Sequence, residues 1–339
     1  MTIDIAVVGA TGAVGETILK ILEERKFPVG NIYPLASSRS AGNPIDFNGK
    51  AVLIEDLADF DFSKVKLALF SAGSSVSAEY APKAAAAGCI VIDNTSHFRN
   101  DDDIPLVVPE VNPEALAGYA KRNIIANPNC STIQMVVALK PIYDAVGIER
   151  INVATYQAVS GSGRKAISEL IKQTTELLNG RPAKADIYPH QIAFNVLPHI
   201  DVFEDNGYTR EEMKMVWETQ KIFGDDNIKV NPTAVRVPVF YGHSEALHIE
   251  TKEKIAIVDV KKLLRKAPGV KVVDKAESNK YPTPITDASG TDVVSVGRIR
   301  EDISHPCGIN MWVVADNVRK GAALNAVQIA EIMAEKYLK

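Results

Sequence analysis

A glycine-rich turn close to the N-terminus constrains the fold of this chain more than any other feature. The stretch VVGATGAVGETILKIL places Gly9, Gly12 and Gly15 between an apolar run and a helical pattern. Glycine lets a backbone turn tightly and approach a pyrophosphate, and the N–H groups at a helix N-terminus favour negative charge. The GxxGxxG spacing is a weak signal alone, but a strand before it and a helix after it are the required context. The turn therefore predicts a dinucleotide-binding site, against the alternative that these glycines serve only packing.

Short apolar runs alternate with helical patterns over the first third of the chain. In order, they read IDIAVVG, AVGETILKILEER, NIYPLAS, KAVLIED, VKLALFSA, AEYAPKAAAAG and CIVIDN. Such alternation is typical of a parallel sheet covered by helices, and nearly continuous apolar strands such as IAVVG fit burial on both faces. We predict an α/β domain with a Rossmann-type, doubly wound parallel sheet over residues 1–128.

After about residue 128 the pattern changes to longer strands with partial polar alternation, among them RINVATYQAVSG, TAVRVPVFYG, EALHIETK, DVVSVGRIR and GINMWVVADN. Alternation indicates a sheet with one less buried face, and hence a mixed or antiparallel one. We predict a second, α+β domain over 129–318 and an amphipathic helix within 319–339 that completes the first domain. A length of 339 residues agrees, because it favours two domains that share a cleft over one core.

The composition argues against several classes of protein. The formal net charge is only −4 and Lys and Arg form no long basic stripe, so we expect no nucleic-acid partner. No apolar run approaches the roughly 18 residues needed to span a bilayer. The opening MTIDIAVVGA lacks the charged leader and cleavage site of a secretory signal. We therefore expect a cytoplasmic protein without a membrane partner.

Cysteine and histidine usage gives no sign of disulfides or metal. Cys89, Cys130 and Cys307 form no CxxC pair, and the six histidines are scattered without ligand spacing. We expect free thiols and no metal site. The acidic run at 100–103 lacks the alternating oxygen ligands of a calcium loop and is interpreted as a solvated turn.

The end of the second predicted strand indicates which dinucleotide binds. An NAD site usually carries Asp or Glu there to bind the ribose 2′-hydroxyl, whereas a 2′-phosphate needs hydroxyls and a cation. Here NIYPLAS runs into Ser37, Ser38 and Arg39 with no acid among them. Arginine can pair a phosphate through two N–H groups. The residues predict NADP(H), and the alternative is that Arg39 is merely a solvated arginine in a turn.

The segment ANPNCST puts Cys130 behind a stiff turn and directly before the helical pattern STIQMVVALKPIYDAV. Pro128 favours extended geometry before it, and unpaired N–H groups at the start of a helix can stabilise both a thiolate and an oxyanion. A buried, inert thiol is the alternative, since free Cys is among the most buried residue types. Cys89, which opens the strand CIVIDN, fits that alternative well, while Cys307 precedes a strand rather than a helix.

Seven motifs together carry a resemblance to a known family. GATGAVG, SSRSAG, DNTSHFR, ANPNCST, YQAVSGSG, WETQK and RVPVFYGHS occur in this order over essentially the whole chain. The chain thereby resembles the aspartate-semialdehyde dehydrogenase family. The resemblance implies a nucleotide-binding domain, a catalytic domain similar to that of glyceraldehyde-3-phosphate dehydrogenase, and a homodimer or a homotetramer.

The same resemblance implies roles for individual residues. Cys130 would be the nucleophile, His243 its general acid and base, and Gln157 a group that orients the substrate. The implied substrate contacts are Arg236 for the α-carboxylate, Glu218 for the ammonium, Asn129 beside the sulfur, and Lys221 with Arg99 for the phosphate. The implied cofactor contacts are Gly9, Thr11, Gly12, Ala13, Val14, Gly15, Ser37, Ser38, Arg39, Ser71, Ala72, Ser160, Gly161, Ser162, Gly163 and Asn325.

The implied reaction is the NADPH-dependent reduction of β-aspartyl phosphate to aspartate semialdehyde and phosphate through a cysteine thioester, in the biosynthesis of lysine, methionine, threonine and isoleucine. One alternative is an enzyme like N-acetyl-glutamyl-phosphate reductase, whose acylated substrate would leave Glu218 without an ammonium to bind. Another is a non-catalytic NADP-binding paralogue, which would be expected to lack Cys130, His243 or Arg236.

Overall fold

A computed structural model of the chain describes residues 2–338 and divides them into two compact units. The first unit runs up to Asn129 and resumes at Ala322, and the second runs from Cys130 to Gly321. Within the described residues no helix is long and apolar enough to cross a membrane.

The regular elements of the first unit are short, as expected for a sheet with helical crossovers. In chain order they are β1 (Ile3–Val8), α1 (Ala13–Glu24), β2 (Val29–Ala36), β3 (Pro44–Phe47), β4 (Lys50–Leu53), β5 (Glu55–Asp56), β6 (Leu67–Phe70), α2 (Ser74–Ala86), β7 (Ile90–Asp93) and β8 (Ile124–Ala126).

The second unit has longer strands. Its elements are α3 (Cys130–Val146), β9 (Ile148–Gln157), α4 (Arg164–Leu178), α5 (Arg210–Phe223), β10 (Lys229–Arg236), β11 (His243–Thr251), α6 (Ile257–Lys266), β12 (Val270–Val272), β13 (Val294–Glu301) and β14 (Gly308–Ala315). The final helix, α7 (Leu324–Lys336), belongs to the first unit.

The first sheet is parallel throughout, in the order β5-β2-β1-β6-β7-β8. The predicted Rossmann-type fold is confirmed. The chain moves outward from β1 to β2 on one side and then returns to place β6 on the other side. In such sheets ligands bind outside the carboxyl ends of the strands at this reversal. Because the glycine turn follows β1 directly, the topology puts it at the expected position.

The last helix packs on this sheet's own unit. Leu324, Val327 and Met333 are buried in the same apolar cluster as the strands of the first sheet. Two parallel hydrogen bonds of 2.7 Å join Arg25 at the end of α1 to Glu331 on α7. The apolar stripe of α7 therefore has its partner within the first unit.

The sequence predicts the stretch KAVLIED as one strand of the parallel sheet, whereas the structure divides it between two strands. Its first part, β4, forms a separate antiparallel hairpin with β3, and only the last two residues, β5, join the parallel sheet beside β2. The turn of the hairpin is Asn48-Gly49, and both residues have positive φ, 52° and 70°. Asn-Gly is the preferred pair for a two-residue hairpin turn, so the signal was present in the sequence.

The second sheet is mixed, in the order β10-β9-β11-β14-β13-β12, as the alternating patterns predicted. β9 is parallel to β10 and antiparallel to β11, and the pairs β11–β14 and β14–β13 are antiparallel. Helix α3 packs against one face of this sheet, and nearly every residue of its first two turns is buried. Cys130 therefore begins a helix whose first two turns are packed against the sheet.

Candidate active site

A cavity of about 620 Å³ opens at the carboxyl ends of the strands in the first sheet. Its walls are the segments that follow β1, β2, β5 and β6. The lining residues are Gly9, Thr11, Gly12, Ala36, Ser37, Ser38, Arg39, Asp56, Leu57, Ala58, Ser71, Ala72, Val76 and Tyr80. Eight of the predicted cofactor residues are among them.

The glycine turn leaves no room for side chains where a pyrophosphate would approach. Gly9 has a φ of +86°, and a Cβ at this position would lie 3.0 Å from the backbone of Ala72. Gly12 caps α1, whose first residue is Ala13. Backbone N–H groups at a helix start suit a phosphate, so the residues present fit a dinucleotide.

Ser37, Ser38 and Arg39 are exposed at the rim of the cavity. Arg39 makes no ion pair among residues 2–338. Asp56 is a wall residue that the sequence reasoning missed, and it lies beside Ala36 in the pairing of β2 with β5. An acidic residue at the end of a strand is the type that binds a ribose 2′-hydroxyl. The acidic end of the run AVLIED was therefore the sequence signal that could have identified Asp56 as a cofactor residue.

The remaining predicted cofactor residues lie elsewhere. Ala13, Val14 and Gly15 form the first turn of α1. Asn325 is fully buried and donates hydrogen bonds to the carbonyl oxygen of Val107 and the side chain of Asn127. The predicted loop from Ser160 to Gly163 belongs to the second unit.

Cys130 is the first residue of α3 and is partly exposed. A thiolate at this position lies near the N–H groups of the first helical turn, which lower a thiol's pKa at helix starts in general. The chain returns past the helix start at Gly321, where an added Cβ would lie 2.8 Å from the Cβ of Cys130. Any side chain at 321 would therefore displace the cysteine.

The register of the second sheet brings three predicted residues into one row across β10, β9 and β11. Arg236 pairs with Gln157, and the pairing of Ser244 with Tyr156 puts His243 at the next position, beside Gln157. The six residues after Arg236 carry the chain across the end of β9. Two residues only seven apart in sequence therefore lie on either side of Gln157.

His243 is fully buried and held by the backbone. Its Nδ1 accepts a hydrogen bond of 3.0 Å from the N–H of Ala158, while its Nε2 has no hydrogen-bond partner among residues 2–338. Burial, and then the nearby Arg236 cation, hold the pKa of His243 well below its ordinary value. A neutral ring whose Nδ1 accepts must carry its proton on Nε2. The site therefore presents a neutral N–H donor.

Arg236 is also buried, and its Nη1 donates to the carbonyl oxygen of Ala158 over 2.8 Å. Its Nε has no hydrogen-bond partner among the described residues. A buried guanidinium with an unused N–H is suited to a carboxylate or phosphate ligand.

A short loop, 158–163, covers these two side chains. A Cβ added at Gly161 would lie 2.9 Å from Nη1 of Arg236 and 3.3 Å from Nε2 of His243. Asn317 holds the loop, because its side chain bonds the hydroxyl of Ser160 and accepts from the N–H of Gly242. Sequence reasoning missed Asn317, whose partners are distant along the chain.

Gln157 is buried and its Nε2 donates to Oε1 of Glu211 (3.2 Å) and to Oγ1 of Thr155 (3.3 Å). Glu211 was not predicted. It lies on α5 seven residues before Glu218, and therefore on the same face of the helix. Both glutamates are buried.

The other predicted substrate residues are divided between the two units. Lys221 is half-buried in the last turn of α5 in the second unit. Arg99 and Asn129 are buried in the first unit, where Arg99 donates to the carbonyl oxygens of Asn127 and Asn94 over 2.9 and 2.8 Å. The acidic run at 100–103 has a different cation beside it, since Arg122 pairs with Asp101 and Asp103.

The three cysteines form no disulfide and lie in different surroundings. Cys89 is fully buried, and burial raises its pKa to about 12. Cys307 is partly exposed directly before β14. Of the three cysteines, only Cys130 is the first residue of a long helix, so only its sulfur lies near the N–H groups of a helix start.

Two family profiles match consecutive parts of the chain. Residues 4–119 match "Semialdehyde dehydrogenase, NAD binding domain", and residues 139–320 match "Semialdehyde dehydrogenase, dimerisation domain".

Curated relatives and solved structures are similar over nearly the full length. An aspartate-semialdehyde dehydrogenase of Legionella pneumophila is 68% identical over 336 residues, which cover 99% of this chain and 97% of the relative. A crystal structure of aspartate semialdehyde dehydrogenase II from Vibrio cholerae, complexed with ASA, is 61% identical with a TM-score of 0.98 and covers 99% of both chains. The Candida albicans enzyme with NADP is 26% identical with a TM-score of 0.79 and covers 100% of both chains.

Proposed function

Because this chain belongs to the aspartate-semialdehyde dehydrogenase family, we propose that it converts β-aspartyl phosphate to aspartate semialdehyde and phosphate, and the reverse, with a nicotinamide cofactor. The biosynthesis of lysine, methionine, threonine and isoleucine is the expected setting. The observation that carries the proposal is the row Arg236–Gln157–His243, which combines a cation, an amide and a neutral N–H donor in a unit that also holds the Cys130 thiol.

Cys130 acts as the nucleophile. Its thiolate attacks the carbonyl carbon of the acyl phosphate, a C–S bond forms, and the C–O bond to phosphate breaks to leave a thioester. The first N–H groups of α3 support the assignment, because they favour both the thiolate and the oxyanion that forms during attack. When bound, the nicotinamide cofactor supplies the hydride that reduces the thioester carbon. The C–S bond then breaks, which releases the aldehyde and restores the thiolate.

His243 acts through Nε2. The hydrogen bond from Ala158 occupies Nδ1, so the proton on Nε2 is available to the substrate oxygen that gains negative charge. A neutral ring stabilises that oxygen as a hydrogen-bond donor and does not transfer the proton, because its loss would leave an imidazolate. Accepting a proton would put two N–H groups against each other at Ala158. The geometry therefore favours a hydrogen-bond donor over the general acid and base that the resemblance implies.

Buried polar groups, together with the half-buried Lys221, support the remaining substrate assignments. We assign Arg236 to the α-carboxylate, because its Nε is unused by residues 2–338, and Gln157 and Asn129 to orientation of the reacting group. Glu218 is assigned to the ammonium, and Lys221 and Arg99 to phosphate. These charges complement a substrate with a carboxylate, an ammonium and a phosphate.

NADP(H) is the proposed cofactor. Ser37, Ser38 and the exposed Arg39 supply two hydroxyls and a cation to the cavity in the first unit. Asp56 opposes this preference, because a carboxylate repels a 2′-phosphate and accepts from a 2′-hydroxyl. Arg39 and Asp56 thus act in opposite directions on the choice between the two dinucleotides.

We propose a homodimer as the active assembly, on the basis of the match of 139–320 to a dimerisation domain. A homotetramer stays an alternative prediction. Light scattering coupled to gel filtration would distinguish a mass of about two chains from about four or one.

One assay tests the reaction. The purified protein is supplied with aspartate semialdehyde and NADP, with and without phosphate, and absorbance of the reduced cofactor is followed. We expect reduction that depends on phosphate and disappears in Cys130→Ser, which keeps its NADPH affinity. Reduction without phosphate would instead indicate a hydrolytic aldehyde dehydrogenase, and full turnover by Cys130→Ser would refute the nucleophile.

A further inference from the structure

A second ionisable group, Glu245, lies close to the row formed by Arg236, Gln157 and His243, and the proposed reaction does not use it. Glu245 lies on β11, two residues after His243 and on the same face of the sheet, and it is fully buried. In the register it lies between Thr155 on β9 and Val313 on β14, which are also fully buried. Burying a carboxyl group costs free energy unless a partner compensates for the lost contacts with water, so a role for this side chain is expected.

The helix that begins with Cys130 supplies the neighbour of this carboxyl group. The amide of Gln134 on α3 lies beside the Glu245 carboxyl, although the contact falls outside strict hydrogen-bond geometry. Neither side chain has another hydrogen-bond partner among residues 2–338. Gln134 is four residues after Cys130, and residues four apart share one face of a helix. The strand of His243 and the helix of Cys130 therefore meet at two buried polar side chains.

The surroundings keep Glu245 uncharged. Burial raises its pKa well above the ordinary value, and the Gln134 contact opposes this only in part. The facing groups Thr155, Val313 and Gln134 do not ionise.

Ionisable groups near β11 do not change this conclusion. Those on the same face of the sheet are the neutral His243 and, beyond it, Arg236. Helix α3, which packs against β11, adds the Cys130 thiol one turn before Gln134. The π-helix Pro284–Ala288, which also packs against β11, carries Asp287, whose carboxylate lies 3.7 Å from Nζ of Lys271.

We propose that Glu245, as an uncharged hydrogen-bond donor, is a positioning residue that fixes β11 with His243 relative to α3 with Cys130 through Gln134. A carboxylic acid and a primary amide can exchange two hydrogen bonds, which no pair of apolar side chains can. Nucleophilic attack and hydrogen-bond donation to the developing oxyanion are sensitive to displacements near 1 Å. The assignment rests on the proposed function, and it adds a residue that acts on the alignment of the two reacting groups.

Three variants test the proposal through activity. Glu245→Gln keeps an uncharged group of the same shape and should retain kcat within about threefold. Glu245→Leu and Gln134→Leu remove the polar link and should lower kcat about tenfold or more with little change in KM, because alignment rather than binding is lost. A Glu245→Gln variant as inactive as Glu245→Leu would show that an ionised carboxylate takes part in the chemistry. Wild-type kcat in a folded Glu245→Leu and in Gln134→Leu would overturn the positioning role.

A stability measurement tests the uncharged state without any assay of turnover. Above the unfolded pKa of about 4.3, the unfolded chain loses a proton that folded Glu245 keeps, so wild-type stability falls as pH rises toward the folded pKa. Urea unfolding should show that Glu245→Gln is more stable than wild type near pH 8, and that its advantage shrinks near pH 5. Equal stability at both pH values would overturn the proposal. Failure of the wild type to reduce NADP would instead reject the proposed function and leave this measurement unaffected.

Discussion

The backbone N–H of Ala158 donates a hydrogen bond to Nδ1 of His243 across 3.0 Å. The donor is fixed, because Ala158 directly follows β9 and cannot lose its proton. Nδ1 must therefore carry a lone pair, and the neutral ring must carry its hydrogen on Nε2. A second proton would place N–H against N–H around a fully buried ring. Burial and Arg236 act in the same direction on the pKa, so geometry and electrostatics agree.

We expect nitrogen-15 NMR to find His243 as the neutral Nε2–H form from about pH 6 to about pH 8, where an ordinary histidine titrates. Burial, and then Arg236, lower the pKa of His243 well below its ordinary value, because both disfavour the imidazolium. The signal is assigned by its loss in His243→Asn. An imidazolium at pH 6, or the Nδ1–H form at pH 8, would contradict the prediction.

The same lowered pKa makes stability depend on pH. Below pH 6.5, about the pKa of histidine in the unfolded chain, the unfolded state binds a proton at residue 243 that the folded state does not bind. The free energy of unfolding therefore decreases as the pH falls. Urea unfolding at about pH 5.5 and pH 7.5 should show a smaller loss on acidification for His243→Asn than for wild type. A loss of the same size in both proteins would show that the folded ring titrates normally.

The fold followed from local patterns, which a sequence displays directly. The glycine turn at Gly9 and the buried strands around it specify a parallel sheet, because both depend on residues close together in the chain. The β3–β4 hairpin was missed for a different reason. The Asn48-Gly49 signal was present, but the apolar run after it was taken as one strand.

The site depended more on long-range pairing. Motifs nominated Cys130 and His243, but the contact of Ala158 with His243 joins residues 85 apart, and that of Ser160 with Asn317 joins residues 157 apart. Strand register decides which backbone N–H meets which ring nitrogen, and a single sequence does not specify register across distant strands. The burial of Glu245 could not be predicted either, because glutamate is usually exposed and the neighbours that bury this one come from distant strands and a helix.

Cofactor preference should follow the balance between Arg39 and Asp56. Arg39→Ala should weaken NADPH binding about tenfold or more and NADH binding little, because only NADPH offers a phosphate to pair. Asp56→Asn removes a carboxylate from the same cavity and should favour NADPH further. Fluorescence titration of the reduced cofactors measures both. Equal losses for NADPH and NADH in Arg39→Ala would reject the assignment of Arg39.

Gly161 should be intolerant of the smallest side chain. In Gly161→Ala the new methyl group would lie 2.9 Å from Nη1 of Arg236, so the loop or the guanidinium must shift. We expect kcat/KM to fall about 10- to 100-fold, as misplacement of a positioned group commonly does. Gly118→Ala is the matched control, since its added Cβ has nothing within 4 Å, and it should keep wild-type kinetics. Wild-type kinetics in Gly161→Ala would show that the loop is not close to the reacting groups.

Thiol reactivity should separate Cys130 from Cys89. Burial raises the pKa of Cys89 to about 12, so at pH 8 about one molecule in 10⁴ carries a thiolate there, from four units of difference. Cys130 is partly exposed at a helix start, where thiolates are favoured. We expect iodoacetamide to inactivate the protein as peptide mass spectrometry records alkylation of Cys130, with Cys89 unmodified. Cys89→Ser and Cys307→Ser should be inactivated at the wild-type rate. Protection by either substitution would place the sensitive thiol elsewhere and remove the main chemical support for Cys130 as nucleophile.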